Sequence, residues 1–170
     1  MRGAGPAPAW GRVRRATERD LPLLVRHRHR MFSDIGRRTE REITAHDRVY
    51  RAWARRGMRG RRFFAFVVEA PQGRAVGSGA IWLQPQQPRP GRLARPTMPY
   101  IMSMYTEPDA RGRGVATRLV AEMVRWASER GYPRIFLHAS AMGRPIYQRA
   151  GFENGNEMRL ELPDRVRRRR

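Results

Sequence analysis

Hydrophobic positions recur along this chain at two spacings, and the switches between them divide it into helices and strands. From Leu21 onward, Leu24, Val25, Met31, Phe32 and Ile35 return every three or four residues, the spacing of one helix face. Thr17 and Asp20 have the form of an N-cap pair ahead of it, Pro22 fits its first turn, and Gly36 offers a stop. A second helix is predicted over 42–56, with Ile43, Tyr50 and Trp53 on one side and Gly57 as its C-terminal cap. Residues 12–16 can form a short strand ahead of both helices.

The runs 63–70 and 76–83 are aromatic and β-branched, and the turn-forming Pro71-Gln72-Gly73-Arg74 between them predicts an antiparallel hairpin. Residues 84–99, rich in proline, read as a loop, and 100–106 as a third strand. The clearest helix spans 115–130. Val115, Leu119, Val120, Met123, Trp126 and Ala127 form its apolar side, Arg118, Glu122, Arg125 and Glu129 its charged one, and Gly131 ends it. A short strand at 135–139, a short helix at 142–149 and a final strand region at 152–162, interrupted at Asn154-Gly155, complete an α/β fold with a mixed sheet.

The length of 170 residues suits one domain, expected at 11–163 between a Gly/Ala/Pro-rich tail at 1–10 and an arginine-rich tail at 164–170. No stretch approaches the length of a membrane span and the first residues lack the apolar centre of a secretory signal, so the expected location is the cytoplasm. With no cysteine, disulfides, Cys-based zinc sites and a thiol nucleophile are excluded, and no metal is expected. A formal charge of +21 would suit nucleic acid, yet all 36 basic residues are arginine, a bias that GC-rich codon usage alone imposes. Nucleic acid is therefore not the favoured partner, and a monomer or homodimer is expected.

Chemistry concentrates where the third strand meets the best helix. After Thr106 the chain turns through Glu107-Pro108-Asp109-Ala110 and enters Arg111-Gly112-Arg113-Gly114-Val115-Ala116-Thr117. Glycines let backbone approach an anion, the N–H groups of a helix start point at it, and two arginines add charged donors. In outline this is a phosphate site.

The segment resembles the acyl-CoA signature of the GNAT superfamily of N-acetyltransferases: Arg or Gln, two variable residues, Gly, one variable residue, then Gly or Ala. Arg111, Gly114 and Ala116 fill those positions. Downstream, Ile146-Tyr147-Gln148-Arg149-Ala150-Gly151-Phe152 is similar to the family's tyrosine-bearing helix followed by Gly-Phe. The resemblance implies a mostly antiparallel central sheet flanked by helices, with a splayed strand pair holding acetyl-CoA. Backbone groups of Met104, Tyr105 and Thr106 would bind the pantetheine arm, and Gly112 through Thr117 would wrap the pyrophosphate. Met102 and Met104 are expected to place their side chains in the core, on one face of the strand.

It further implies direct attack of a primary amine on the thioester, with Tyr147 protonating the leaving sulfur. Ser140 departs from the family, in which many members have an asparagine. For the general base, His138, Tyr100, Glu107 and a water chain stay open. The acceptor site is expected to draw on Asp34, Tyr100 and Glu157. Asp34, Glu40, Glu42 and Asp47 would either receive a cationic amine or be surface acids paired with arginines. The alternative to an enzyme of small amines, antibiotics or peptide amines is a non-catalytic acyl-CoA- or RNA-binding protein on the same fold.

Overall fold

The computed structural model describes residues 11–87 and 95–160, so both expected tails and the middle of the 84–99 loop lie outside the described residues. Thr17 and Asp20 close a capping box on the 3-10 turn Glu18–Asp20, which runs straight into α1, Leu21–Ile35. Gly36 ends α1 at φ +69°, a left-handed conformation that costs glycine little. A second capping box pairs Thr39 with Glu42 and starts α2, Glu40–Arg59. The predicted start at residue 42 is corrected by two residues, because the box makes Glu42 the third helical position.

Gly57 does not cap α2. The helix runs through it to a cap at Gly60, and Gly57 is buried against β2. A Cβ there would sit 2.7 Å from Phe63 Cβ and 3.2 Å from Trp82 Cζ3, so the residue is small to let helix and sheet close together.

Five strands form one sheet in the order β1-β2-β3-β4-β5. They are Arg12–Arg15, Phe63–Glu69, Ala75–Pro85, Thr97–Thr106 and Phe136–Leu137. The first four pair antiparallel, while β5 lies parallel to β4. β3 and β4 invade both ends of the predicted loop. On one face, α3 (Val115–Glu129) packs Val115, Leu119, Met123, Trp126 and Ala127 onto Phe66, Val68, Ile81 and Ile101. On the other, Leu21, Leu24, Tyr50 and Ala54 of α1 and α2 cover Phe63, Ala65, Val67 and Ala80. The two faces alternate along β2 as the period of a strand requires.

α4, Arg144–Arg149, follows β5, but the final strand predicted at 152–162 is not formed over 152–160. Met158 and Leu160 are exposed there. A strand needs a paired edge, and β5 offers only two residues of ladder.

Candidate acyl-CoA site

β4 and β5 pair only at Tyr100 with Phe136 and Ile101 with Leu137. Beyond them β4 continues to Thr106 with no strand on that side among the described residues, which is the splay expected of the strand pair. Peptide groups of Met104, Tyr105 and Thr106 thus lie along an open edge suited to an amide-bearing chain.

The loop after β4 leaves its backbone open. Gly112 and Gly114 take φ +74° and +79°, and a Cβ on either would meet nothing within 4 Å, so both face open space. Gly114 is the N-cap of α3 and supplies no side-chain cap, leaving the first N–H groups of Val115, Ala116 and Thr117 without the partner that a serine or aspartate would provide. The helix dipole favours negative charge at that place. These donors fit a pyrophosphate, which carries acceptor oxygens on both phosphorus atoms.

Arg111 braces the loop. Its Nε donates to the Thr106 carbonyl at 3.1 Å, its Nη2 pairs with Asp34 of α1, and its guanidinium lies 5.9 Å from the Tyr105 ring centroid. Asp34, expected beside the acceptor, therefore sits at the turn before α3. Arg113 is exposed on the same turn.

Beneath this loop lies a buried polar cluster that sequence reasoning missed except for Glu107. His27 is fully buried, with Nδ1 2.9 Å from Ser78 Oγ and Nε2 3.3 Å from Glu107 Oε1. Arg30 Nη1 donates to both Glu107 oxygens at 2.8 and 2.7 Å, and the Tyr105 hydroxyl donates to one at 3.3 Å. Burial pushes the His27 imidazole well below its ordinary pKa, and the Glu107 carboxylate only partly offsets this. Glu107 is 8% exposed and held on three sides, which suits a brace for the loop better than a base meeting an amine. A histidine at a core position of α1 was the available signal.

A second feature without sequence signature is a bulge in β4. Ser78 pairs with Tyr105 and Ala80 with Met102, so Ser103 and Met104 together oppose Gly79, and Ser103 takes φ +53°. The extra residue sends Met102 and Met104 to opposite faces: Met102 packs with the α1/α2 core and Met104 with the α3 core. Both methionines are in the core, but the expectation of one shared face is corrected.

After β5, α4 carries Tyr147, half-buried and edge-on to Phe152 with centroids 5.8 Å apart. Burial, with the nearby Tyr100, raises its phenol above the ordinary pKa, so the hydroxyl keeps its proton at neutral pH. Tyr100 shares a hydrogen bond with His138 Nδ1, and His138 Nε2 lies 3.3 Å from Glu157 Oε2. The fold thus joins Tyr100, His138 and Glu157 at the end of β5, near Tyr147. Ser140 accepts a hydrogen bond from the Gly143 N–H at 3.1 Å and so caps the turn into α4.

The carboxylates expected to attract a cationic amine have other partners. Asp47 and Glu40 hold His29 at 2.7 and 2.6 Å, and Glu42 closes the α2 capping box.

Comparison with known proteins agrees with this architecture. The family model for the acetyltransferase (GNAT) family matches residues 26–152. A GCN5-related N-acetyltransferase from Ralstonia eutropha superposes with a TM-score of 0.79 at 28% identity, covering 89% of this chain and 97% of that one. A predicted acetyltransferase from Clostridium acetobutylicum, solved with acetyl-CoA, gives 0.78 at 30% identity, covering 89% and 95%. Glucosamine 6-phosphate N-acetyltransferase of Trypanosoma brucei brucei is 30% identical over 93 residues, which cover 54% of this chain and 60% of that protein's length. With a family match that runs from α1 through the phosphate loop to Phe152, the chain belongs to the acetyltransferase (GNAT) family.

Proposed function

We propose that this acetyltransferase moves the acetyl group of acetyl-CoA to the primary amine of a small neutral or anionic acceptor. The observation that carries the reading is the pairing of an uncapped, glycine-led α3 start with the free β4 edge, a layout that suits a pyrophosphate and an amide-bearing arm end to end. Acetyl-CoA supplies an activated thioester. Gly112 to Thr117 bind its pyrophosphate, and the open edge at Met104 to Thr106 orients the arm and carbonyl. As the neutral amine adds to the carbonyl carbon, the Tyr100 oxygen accepts the proton that the nitrogen must lose while its own passes to His138, which Glu157 holds. Carbon–nitrogen bond formation then expels sulfur, and the Tyr147 hydroxyl, kept protonated by burial, gives its proton to the departing thiolate.

The acceptor class follows from charge. A net +21 repels polycations, and Asp34, Glu40, Glu42 and Asp47 are occupied by protein partners, so a polycationic antibiotic has little to hold it. Likeness to a glucosamine 6-phosphate N-acetyltransferase supports a small, phosphate- or hydroxyl-bearing amine. A panel of amino sugars, amino sugar phosphates, aminoglycosides and peptides, assayed by free-thiol release, tests this. Amino sugars or their phosphates are expected to turn over fastest, and a preference for aminoglycosides or peptides would refute the assignment. Gly114→Glu, which sets bulk and negative charge into the open space at the α3 start, should abolish acetyl-CoA binding with an unchanged circular dichroism spectrum.

A further inference from the structure

At the opposite end of α3 from the phosphate loop, about 22 Å away along a 15-residue helix, lies a cavity of about 560 Å³. It opens where β1 stops: Ala16 N–H still bonds the Ala65 carbonyl at 2.9 Å, but among the described residues Phe63 and Phe64 of β2 have no partner strand on that side. Its volume falls within the range of small-molecule pockets.

The lining is cationic and aromatic. Arg15, Arg59, Arg61 and Arg130 face a single carboxylate, Glu18, and that carboxylate is held by Arg59 Nε at 2.8 Å and Nη2 at 3.0 Å. Among the described residues Arg15, Arg61 and Arg130 make no salt bridge. Arg15 stacks 4.8 Å over Phe64, and Arg130 lies 4.3 Å over Trp126. Stacking occupies a guanidinium face and leaves N–H groups at its edge, the edge that meets carboxylate or phosphate, although Arg130 Nη1 already donates to the Trp126 carbonyl at 3.2 Å. Trp126 also lines the cavity, and its buried indole N–H has no hydrogen-bond partner. Two guanidiniums are held close together, and the carboxylate that acts on half-buried Arg15, Glu122, is itself bound by Arg125, so an added anion would offset part of the cost of keeping both charged. Desolvation and then the neighbouring Arg130 lower the Arg15 pKa, and Glu122 offsets this only in part.

We propose that this cavity is a second binding site, taking a small organic anion whose phosphate or carboxylate lies between Arg15 and Arg130 and whose planar body rests against the aromatic wall. It is independent of the acetyl-transfer reading, since none of its residues belongs to that machinery. A ligand here would bridge β1, the end of α2 and the end of α3, and so would raise the thermal midpoint.

The test uses the full chain saturated with acetyl-CoA, which fills the phosphate loop, and titrates adenosine monophosphate, benzoate, inorganic phosphate and adenosine. Either adenosine monophosphate or benzoate should bind with a raised midpoint, and which one does so distinguishes phosphate from carboxylate. Inorganic phosphate and adenosine, each lacking half of the chemistry, should bind at least tenfold more weakly. Arg15→Gln and Arg130→Gln should each weaken the bound probe tenfold or more and leave acetyl-CoA affinity unchanged. Arg130 is exposed, so its variant keeps the test intact if Arg15→Gln fails to fold. Exposed Arg41→Gln and Arg48→Gln control for general attraction to a basic protein. No binding by either planar anion, or an equal loss in the control variants, overturns the proposal.

Discussion

Tyr147 shows how much one side chain depends on its surroundings. A free phenol is nearly all protonated at neutral pH, and burial on α4 with Tyr100 nearby moves the balance further toward the protonated form. Such a group is suited to giving a proton late, when charge has built on sulfur, and contributes little to holding the ground state. Tyr147→Phe is therefore expected to keep acetyl-CoA affinity while lowering kcat about a hundredfold. The defect should shrink with a thioester of a more acidic thiol. Equal defects for both thioesters, with chemistry rate-limiting, would remove the proton-donor role.

At the scale of elements, one strand irregularity and one small residue set how the helices cover the sheet. The β4 bulge at Ser103 shifts the alternation of the strand by one residue, so that Met104 packs against α3 while Tyr105 faces His27 of α1, 5.0 Å between centroids. Without it Tyr105 would point into the α3 core and Glu107 would lose one of its donors. The small residue is Gly57 inside α2, at the contact with Phe63 and Trp82. Gly57→Val should destabilise the fold by about 2 kcal/mol, since β2 and α2 must separate to admit the side chain. Urea unfolding would measure the loss. An unchanged midpoint would mean that α2 can shift without cost.

For the whole molecule, the two paired histidines of α1 give opposite pH dependences. His27 is buried among Ser78, Glu107, Arg30 and Tyr105, and its folded pKa is lowered, chiefly by burial. The unfolded chain then binds the extra proton first, so His27 lowers stability as pH falls below about 6.5, by at most about 1.4 kcal/mol per pH unit. His29 is raised, first by its bond to Asp47 and also by Glu40, so its stabilisation is present at acid pH and fades as pH climbs through the raised value. Thermal melts between pH 5 and 7 should show a smaller acid loss for His27→Gln than for the parent chain. For His29→Gln the loss should be larger. The reverse order would show that His27 is charged in the folded state.

Much of this protein was legible in its residues. Helix α3 carries its periodicity openly, and its buried set is the one the spacing names, Val115 through Ala127. The glycine-led turn into α3 was legible for the same reason: glycine spacing and a helix start are local features. The Thr17–Asp20 capping box announced the first helix, and aromatic and β-branched runs around a turn announced both hairpin strands. The Thr39–Glu42 box was not read, and it starts α2 two residues before the predicted position. Tertiary structure alone decided the rest. Ser103 has the composition of an ordinary strand residue, and its bulge arises from pairing with β3. Gly57 has the form of a cap and becomes a packing site only because Phe63 lies beneath it. His27, Arg30 and Glu107 are up to 80 positions apart and share a network because α1 crosses the end of β4. The final strand expected at 152–162 carried the right period but, over 152–160, found no paired edge, since alternation in a sequence specifies a face and only a neighbouring strand supplies the hydrogen bonds.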